Sequence, residues 1–484
     1  MAKSISKNAL FNAILNMCNL ILPIIVTPIV TGVLSIEENS YIIQGETFNT
    51  ILLAFASLGV YQYGLREISK VRDDKKKLSQ TFTGLFVITA VSTTVVFLVY
   101  MVLLFGLYRN NAAYYTCVIL GLNIVFNLFY VEWVNEALED YEFITVKTMI
   151  VKIIYSVIVI LVMRNNDNLL FYIYLGAAIN IVNNLLSYFY VKKKIKFDFS
   201  NFKIKTYLRP MLIVTMLSNT GLLYTYSDRA LIIKFGSDGD LSCYGIAQKA
   251  MLIINALMLT VIQVTTPRLS NNLGNHNNDS YINLLNKIIK IYFLFLFPAS
   301  IGLFCVSKQV MWIYKPEFVP WASLMSVFSL YMLTVGVQGV VSNQIIYLNK
   351  KEKEDVKIFF IGGIFNLAMN GILLLTNTFS GKNSLIATMI SNIIVIILEY
   401  RIVKKQIKLD IHLFSFENIK YFYYSLLFIP ITFLINHSIS SMIVSCALDL
   451  IICGLLYLII LLVTKDVVFF EVYNRAIRKL KALI

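Results

Sequence analysis

The chain has 484 residues, of which 58% are hydrophobic and only 14% are charged. Soluble domains carry about 25% charged residues and lack long apolar runs, so this composition excludes an ordinary soluble enzyme. The 42 Lys and Arg outnumber the 27 Asp and Glu and give a formal net charge of +15. Because the basic residues are concentrated in short segments between apolar runs, the charge indicates membrane topology, and no nucleic-acid partner is expected.

Apolar segments of about 20 residues recur from end to end, each long enough to cross the hydrocarbon core of a bilayer. We predict an all-α polytopic membrane protein of about fourteen transmembrane helices, whose loops are too short to form a separate soluble domain. The first segment lacks a small-residue cleavage site, so a retained span is expected rather than a signal peptide. The predicted spans are 9–34, 41–64, 82–107, 112–134, 146–163, 169–191, 208–234, 241–266, 285–306, 321–348, 356–376, 384–403, 420–438 and 442–464.

The distribution of Lys and Arg predicts the orientation. With fourteen spans and the N-terminus inside, we assign 34 of the 42 basic residues to the cytoplasmic side, six to the outside, and two, Arg229 and Lys249, to the interior of spans. This asymmetry follows the positive-inside rule. We therefore expect both termini to be cytoplasmic and the basic loops to face anionic lipid headgroups.

The two halves of the chain follow one plan. From Asn8, where helix one begins, to Arg66, where helix two ends, is 58 residues, and from Leu208 to Arg268 in the second half is 60 residues. Six spans in each half make parallel repeats, related by a pseudo-two-fold axis along the membrane normal, as in transporters that rock two lobes around a central site. The predicted domains are an N-terminal lobe (1–191), a basic cytoplasmic linker (192–207), a C-terminal lobe (208–405), and helices thirteen and fourteen with a basic tail (406–484).

The first span carries four asparagines within NALFNAILNMCN: Asn8, Asn12, Asn16 and Asn19. At about 100° per residue these amides lie within roughly 80° of one another on a helix, so they form one polar stripe. An unpaired amide in hydrocarbon costs a few kcal/mol, so the stripe faces protein or water. Hydrogen bonds between helices are one interpretation; a hydrated cavity between the lobes is the one we favour.

Charged residues occur in three other spans: Asp228 and Arg229 in helix seven, Lys249 in helix eight, and Glu46 in helix two. Charges at such depth usually face a bundle interior or a water-filled pathway. The first three, together with Asn255, are candidates for contacting a polyhydroxylated anionic substrate; the alternative for the charges is an ion pair that only orients two helices. Glu46 and Asp228 are candidate proton or cation carriers, although Glu46 could simply lie near the outer interface.

Other features of the sequence exclude functions or suggest motion. Pro23 and Pro28 each remove a backbone donor, so we expect a hinge in helix one, with a static kink as the alternative. The six cysteines and three histidines lack metal-binding spacing. There is no phosphate-binding loop, so we expect neither ATP hydrolysis nor a cofactor.

Several stretches in order resemble one family: ASLGVYQYGLREISKVRDD (56–74), EWVNEALEDYEFITVKTMIVKI (132–153), DRALIIKFGSDGDLSCYGIAQKA (228–250), VTTPRLSNN (264–272) and GGIFNLAMNGILL (362–374). Together they resemble the polysaccharide transporter branch of the multidrug/oligosaccharidyl-lipid/polysaccharide exporters, the Wzx-type flippases, over helices one to twelve. The family's Tyr-Gly-x-Arg-Glu element is matched by Tyr63, Gly64, Arg66 and Glu67. Its Gly-Tyr-x-x-Ala-x-Lys element is matched in part, by Tyr244, Ala247 and Lys249, with Cys243 in place of the glycine. The Leu-Asp pair of helix seven appears as Ser227 and Asp228.

The resemblance implies a non-enzymatic flippase in the bacterial cytoplasmic membrane. It would move undecaprenyl-diphosphate-linked oligosaccharide repeat units to the outer leaflet by alternating access, for capsule or O-antigen assembly beside a polymerase and other assembly proteins. Arg66 and Arg268 at the cytoplasmic edge would capture the diphosphate, and a proton or sodium gradient could drive the cycle. A multidrug antiporter of the same architecture, a flippase for a peptidoglycan precursor or teichoic acid unit, and a non-transporting scaffold remain as alternatives.

Overall fold

The structure is a computed structural model that describes residues 5–164, 168–200, 204–275, 277–409 and 411–481. These residues form twenty α-helices and no β-strand, which confirms the all-α prediction. Twelve helical segments within them are long and apolar enough to cross a membrane. The chain is therefore a multi-pass membrane protein.

Packing divides the chain into two compact units, Met1–Ser242 and Cys243–Ile484. The helices up to that boundary are α1 (Ile5–Val33), α2 (Ile36–Ser57), α3 (Val60–Val71), α4 (Lys75–Tyr108), α5 (Tyr114–Phe126), α6 (Glu132–Ala137), α7 (Tyr141–Met163), α8 (Leu169–Lys194), α9 (Ile204–Ser218) and α10 (Thr225–Phe235). Helix α11 (Asp238–Gly274) contains the boundary. The others are α12 (Asn278–Cys305), α13 (Ser307–Tyr314), α14 (Ala322–Val340), α15 (Glu352–Leu375), α16 (Gly381–Ile402), α17 (Phe416–Leu426), α18 (Phe428–Ser438), α19 (Met442–Val463) and α20 (Val467–Lys481).

The packing boundary differs from the repeat boundary that the sequence suggested. The repeat plan divides the chain in the linker 192–207, whereas the packing boundary falls within α11. The difference arises because α9 packs against α3 and α4, and α10 packs against α2, all within the first unit.

The predicted count of fourteen spans is not confirmed. Twelve predicted spans coincide with helices of sufficient length and apolarity, but 41–64 and 208–234 do not. The first of these breaks at Leu58 and Gly59, whose φ angles of 44° and 63° are left-handed and end α2 before α3 begins. The second is interrupted by a 3₁₀ turn at Thr220–Leu223 between α9 and α10. A left-handed residue cannot continue a right-handed helix, so a sliding apolar window overlooks such breaks.

Local capping determines where the first-unit helices begin. The Ser35 hydroxyl accepts the backbone N–H of Glu38 at 3.1 Å, and the Glu38 carboxylate accepts the backbone N–H of Ser35 at 2.8 Å, a capping box at the start of α2. Asp74 caps α4 by accepting the N–H groups of Lys76 and Lys77, each at 3.1 Å. These caps determine the residues at which α2 and α4 begin.

Helix α7 begins earlier than predicted and carries two lysines that the charge count had assigned to the cytoplasmic side. It starts at Tyr141, whereas the predicted span started at 146. The predicted span 146–163 already contained Lys147 and Lys152, although the charge count assigned both to the cytoplasmic side; in the structure both lie in α7, a helix long and apolar enough to cross a membrane. Residues 141–145, which the prediction assigned to a loop, form the first turn of this helix.

Candidate functional site: a polar cavity in the first unit

A cavity of about 610 Å³ lies among α1, α2, α5, α7 and α8. Its wall is unusually rich in amides, which come from eight asparagines of four helices and the adjoining 3₁₀ turn. They are accompanied by three tyrosines, two glutamates and one lysine. These lining residues are Asn16, Asn19, Asn49, Asn123, Asn127, Asn180, Asn183, Asn184, Tyr61, Tyr130, Tyr141, Glu132, Glu136 and Lys152.

Helical spacing explains why the amides converge. Asn16 and Asn19 are three residues apart on α1, and the three asparagines of α8 follow one another at intervals of three and one. Residues three or four apart lie on one face of a helix. The stripe predicted from the first span therefore faces this cavity at Asn16 and Asn19, while the side chain of Asn12 lies outside the described residues.

A lysine from α7 meets the amide stripe directly. Lys152 donates from Nζ to Oδ1 of Asn19 at 2.6 Å. It is the sole Lys or Arg among the described residues that line the cavity. The ammonium group adds one positive charge to a wall that also carries Glu136 and Glu132, of which Glu132 is paired with Lys147, and it is a counter-charge that an anionic ligand can use.

Glu132 forms a buried charged network at the edge of the cavity. Its carboxylate pairs with Lys147, and both side chains are less than a tenth exposed. The carboxylate also accepts hydrogen bonds from the Ser187 hydroxyl at 2.8 Å and from Nδ2 of Asn135 at 3.2 Å. A buried charge must be paired and hydrogen-bonded, and this network meets both requirements. Lys147, Lys152 and both glutamates were not predicted as site residues; the signal available for the lysines was their position within the apolar span 146–163.

An acid and two aromatic rings form another part of the wall. The Tyr61 hydroxyl donates to the Glu136 carboxylate, with both oxygens at 2.8 Å, and the Tyr61 ring stacks on Tyr130 with centroids 6.2 Å apart. Phenol rings offer apolar faces, and their hydroxyls both donate and accept. This side of the cavity could therefore contact the faces and hydroxyls of sugar rings.

Three buried amide oxygens in the wall have spare hydrogen-bonding capacity. Oδ1 of Asn49, Asn123 and Asn183 accepts no hydrogen bond from the part of the chain that the structure describes. All three residues line the cavity. Burying an acceptor without a partner is unfavourable, so these oxygens favour a ligand or water that donates hydroxyl hydrogens.

The predicted helix-seven and helix-eight residues lie elsewhere. Asp228 and Arg229 are buried in α10, with the guanidinium 5.3 Å from the centre of the Tyr226 ring, and neither is among the described lining residues of this cavity. Lys249 is partly buried and Asn255 is buried on α11, within the second unit. Their role in substrate binding stays a prediction.

The remaining predicted residues occupy the surface or helix interiors. Arg66 is exposed on α3, where its Nε lies 3.1 Å from Glu67, and Arg268 is exposed near the end of α11. Glu46 is half-buried in α2. Helix α1 continues without interruption through Pro23 and Pro28, so whether they act as a hinge stays a prediction. Among the described residues, no group of three or more His, Cys, Asp or Glu is arranged to hold a metal ion.

Comparisons with known proteins agree with this architecture. Residues 5–273 match the family described as polysaccharide biosynthesis protein. A putative O-antigen transporter of Shigella dysenteriae is 20% identical over 367 residues, which make up 75% of this chain and 91% of that protein.

Solved structures show what fold the chain shares. An inward-facing multidrug resistance MATE family transporter of the MOP superfamily superposes with a TM-score of 0.61 at 13% identity, over 80% of this chain and 94% of that one. A MOP superfamily transporter from Pyrococcus furiosus superposes with a TM-score of 0.56 at 13% identity, over 82% of this chain and 93% of that one. At such low identity these likenesses establish a transporter fold and nothing finer.

Proposed function

Because the chain belongs to the polysaccharide biosynthesis protein family, we propose that it is a flippase for undecaprenyl-diphosphate-linked oligosaccharide repeat units. It would move them from the cytoplasmic to the outer leaflet of a bacterial cytoplasmic membrane, with its termini cytoplasmic, by alternating access. The product would supply a polymerase of capsule or O-antigen assembly. The resemblance to a putative O-antigen transporter supports this substrate class.

The observation that carries the proposal is the cavity wall. Amides donate and accept, so eight asparagines can satisfy many sugar hydroxyls, and the unpaired oxygens of Asn49, Asn123 and Asn183 supply free acceptors. A hydroxylated headgroup cannot enter hydrocarbon without losing its hydrogen bonds, so a polar route is the main requirement for flipping. The polyprenyl tail would remain in lipid throughout.

In this proposal the basic residues at the surface and the lysine in the cavity contact the substrate at different places. Arg66 and Arg268 are exposed cations that would capture the diphosphate at the cytoplasmic edge, where anionic lipid headgroups also bind. Lys152 would accompany the anionic part of the headgroup inside the cavity, beside Asn19. Asp228, Arg229, Lys249 and Asn255 would contribute from α10 and α11.

The test is surface polysaccharide output in the native host. Deletion of the gene should abolish surface polysaccharide and leave lipid-linked repeat units inside, and the wild-type gene should restore output. Lys152→Gln should fail to restore it at matched protein level, whereas Lys193→Gln, which alters an exposed lysine of α8, should succeed. Unaltered polysaccharide after deletion would refute the proposal.

Export of organic cations is the second candidate, because Glu136 and the tyrosines Tyr61 and Tyr130 present acid and aromatic faces in the same cavity. Under that alternative, deletion would sensitise cells to cationic dyes and leave polysaccharide unchanged. If polysaccharide output is lost, the glycan of the accumulated lipid will separate capsule or O-antigen units from peptidoglycan or teichoic acid precursors.

A further inference from the structure

Two acidic side chains meet inside the second unit, away from the cavity described above. Asp355 is near the start of α15 and Glu399 is near the end of α16; their exposed fractions are 7% and 0%. Their carboxyl groups are in hydrogen-bonding contact with each other. Helices α15 and α16 are antiparallel neighbours, which places the end of one beside the start of the other.

Two neighbouring side chains donate hydrogen bonds to one oxygen of each carboxyl group. The Ser342 hydroxyl donates to Oδ2 of Asp355 at 2.5 Å, and Nε2 of Gln338 donates to Oε1 of Glu399 at 3.0 Å. Apart from the contact between the two carboxyl groups, the other two oxygens, Oδ1 of Asp355 and Oε2 of Glu399, receive no donor from the described chain. Two carboxylates offer acceptors only, so contact between them needs one proton, donated by one carboxyl group to the other.

The helical segments packed against the pair carry few ionisable residues. The π-helical segment Val341–Ile346, which carries Ser342, has no ionisable residue, and α14 contributes only Tyr331. The π-helical segment after α16 contributes the exposed Lys404 and Lys405. On its own helices the pair has Glu352, one turn before Asp355, with the nearby Lys351, Lys353, Glu354 and Lys357, and Arg401 two residues after Glu399.

The pair is linked to a helix that the proposed mechanism uses. In the same π-helical segment as Ser342, Gln344 donates from Nε2 to the Thr265 hydroxyl at 2.9 Å and to the Ile262 carbonyl at 3.2 Å, both on α11. Thr265 lies one turn before Arg268. Single π-helical turns are frequently found at functional sites.

We propose that Asp355 and Glu399 form the proton-binding site at which this transporter takes up and releases its driving proton. Uptake converts the carboxylate–carboxylic acid pair into two neutral acids, and release restores the shared proton; no bond between heavy atoms changes. A proton fits better than sodium, because Ser342 and Gln338 already direct hydrogens at the pair and the carboxyl groups touch. This inference rests on the proposed flippase function, for which it names the coupling ion.

The experiment uses full-length protein in lipid and two isosteric variants. Infrared difference spectra between acid and alkaline pH should contain a protonated-carboxyl band that disappears in both Asp355→Asn and Glu399→Gln. The band should persist in Glu354→Gln, which alters a half-exposed carboxyl group of the same helix. The band should also be insensitive to sodium chloride replacing potassium chloride.

The variants separate a proton carrier from a merely structural pair. An amide donates a permanent hydrogen bond in place of the shared proton, so Glu399→Gln should keep the thermal stability of the wild type. It should nevertheless lose surface polysaccharide output, which Glu399→Asp should partly rescue. Full output from Glu399→Gln, an unaltered carboxyl band in both variants, or displacement of the proton by sodium would each overturn the inference. Such a result would leave the flippase proposal intact as long as wild-type output still depends on the gene.

Discussion

Replacing Lys147 with methionine is the sharpest test of how the first unit is held together. Lys147 neutralises Glu132 in a site where both side chains are less than a tenth exposed. In the Lys147→Met variant the carboxylate would keep only the hydroxyl of Ser187 and the amide of Asn135 as donors. Breaking a buried ion pair by removing one partner costs about 3–5 kcal/mol, since the remaining charge is desolvated without compensation.

The double variant Glu132→Gln/Lys147→Met makes the argument falsifiable. A neutral amide beside methionine carries no unpaired charge, and replacement of both members of a buried ion pair is often nearly neutral in stability. We therefore expect each single variant to unfold at a clearly lower temperature than the wild type and the double variant to recover most of the loss. The single changes should be strongly non-additive.

Thermal unfolding in detergent, followed by tryptophan fluorescence, would measure this, because Trp133 is buried directly beside Glu132. A matched exposed change, Lys193→Met, controls for the loss of a lysine as such. A Lys147→Met variant as stable as the wild type would refute the reasoning. So would a double variant as unstable as the worse single one.

Three further outcomes are expected. Gly64→Ala should lower the unfolding temperature by the equivalent of about 1–3 kcal/mol, because the new Cβ would lie 2.5 Å from Cε3 of Trp133. Gly106→Ala, whose new Cβ would have no atom within 4 Å, should leave the unfolding temperature unchanged, and equal effects of the two variants would contradict the packing argument. Arg66→Ala should lower surface polysaccharide output while leaving the unfolding temperature unchanged, since exposed ion pairs contribute about 0–1 kcal/mol; undiminished output would remove Arg66 from the site. Asp228→Asn, scored in the same way, should also lower output, and a normal level would assign that carboxylate a structural role.

The amide-lined cavity was partly predictable from sequence. Helical spacing alone placed Asn16 and Asn19 on one polar face of the first span, and both line the cavity. The asparagines of α8 were equally visible as polar residues in an apolar span. Spacing does not show which helices face one another, so it could not predict that Asn49 and Asn123 line the same cavity.

The charged residues near helix ends were harder to predict from the sequence. Lys147 and Lys152 lay within a predicted span, but only the packing of α6 against α7 shows that Lys147 meets Glu132, which the prediction had at the end of another span. The left-handed residues at Leu58 and Gly59 and the 3₁₀ turn between α9 and α10 interrupt apolar runs, so the apolar pattern does not reveal these breaks. The resemblance to a family supplied the fold class; it did not supply these local departures.

Solvent access to the cavity tests the central claim most directly. Asn183→Cys, in a variant whose native cysteines are replaced by alanine, would place one thiol in the cavity wall. Where transport function is retained, we expect a water-soluble maleimide to label this thiol, and labelling to slow when a polymerase deletion makes lipid-linked repeat units accumulate. A thiol that never reacts, or one whose labelling is indifferent to the accumulated lipid, would contradict a hydrated cavity that holds the glycan.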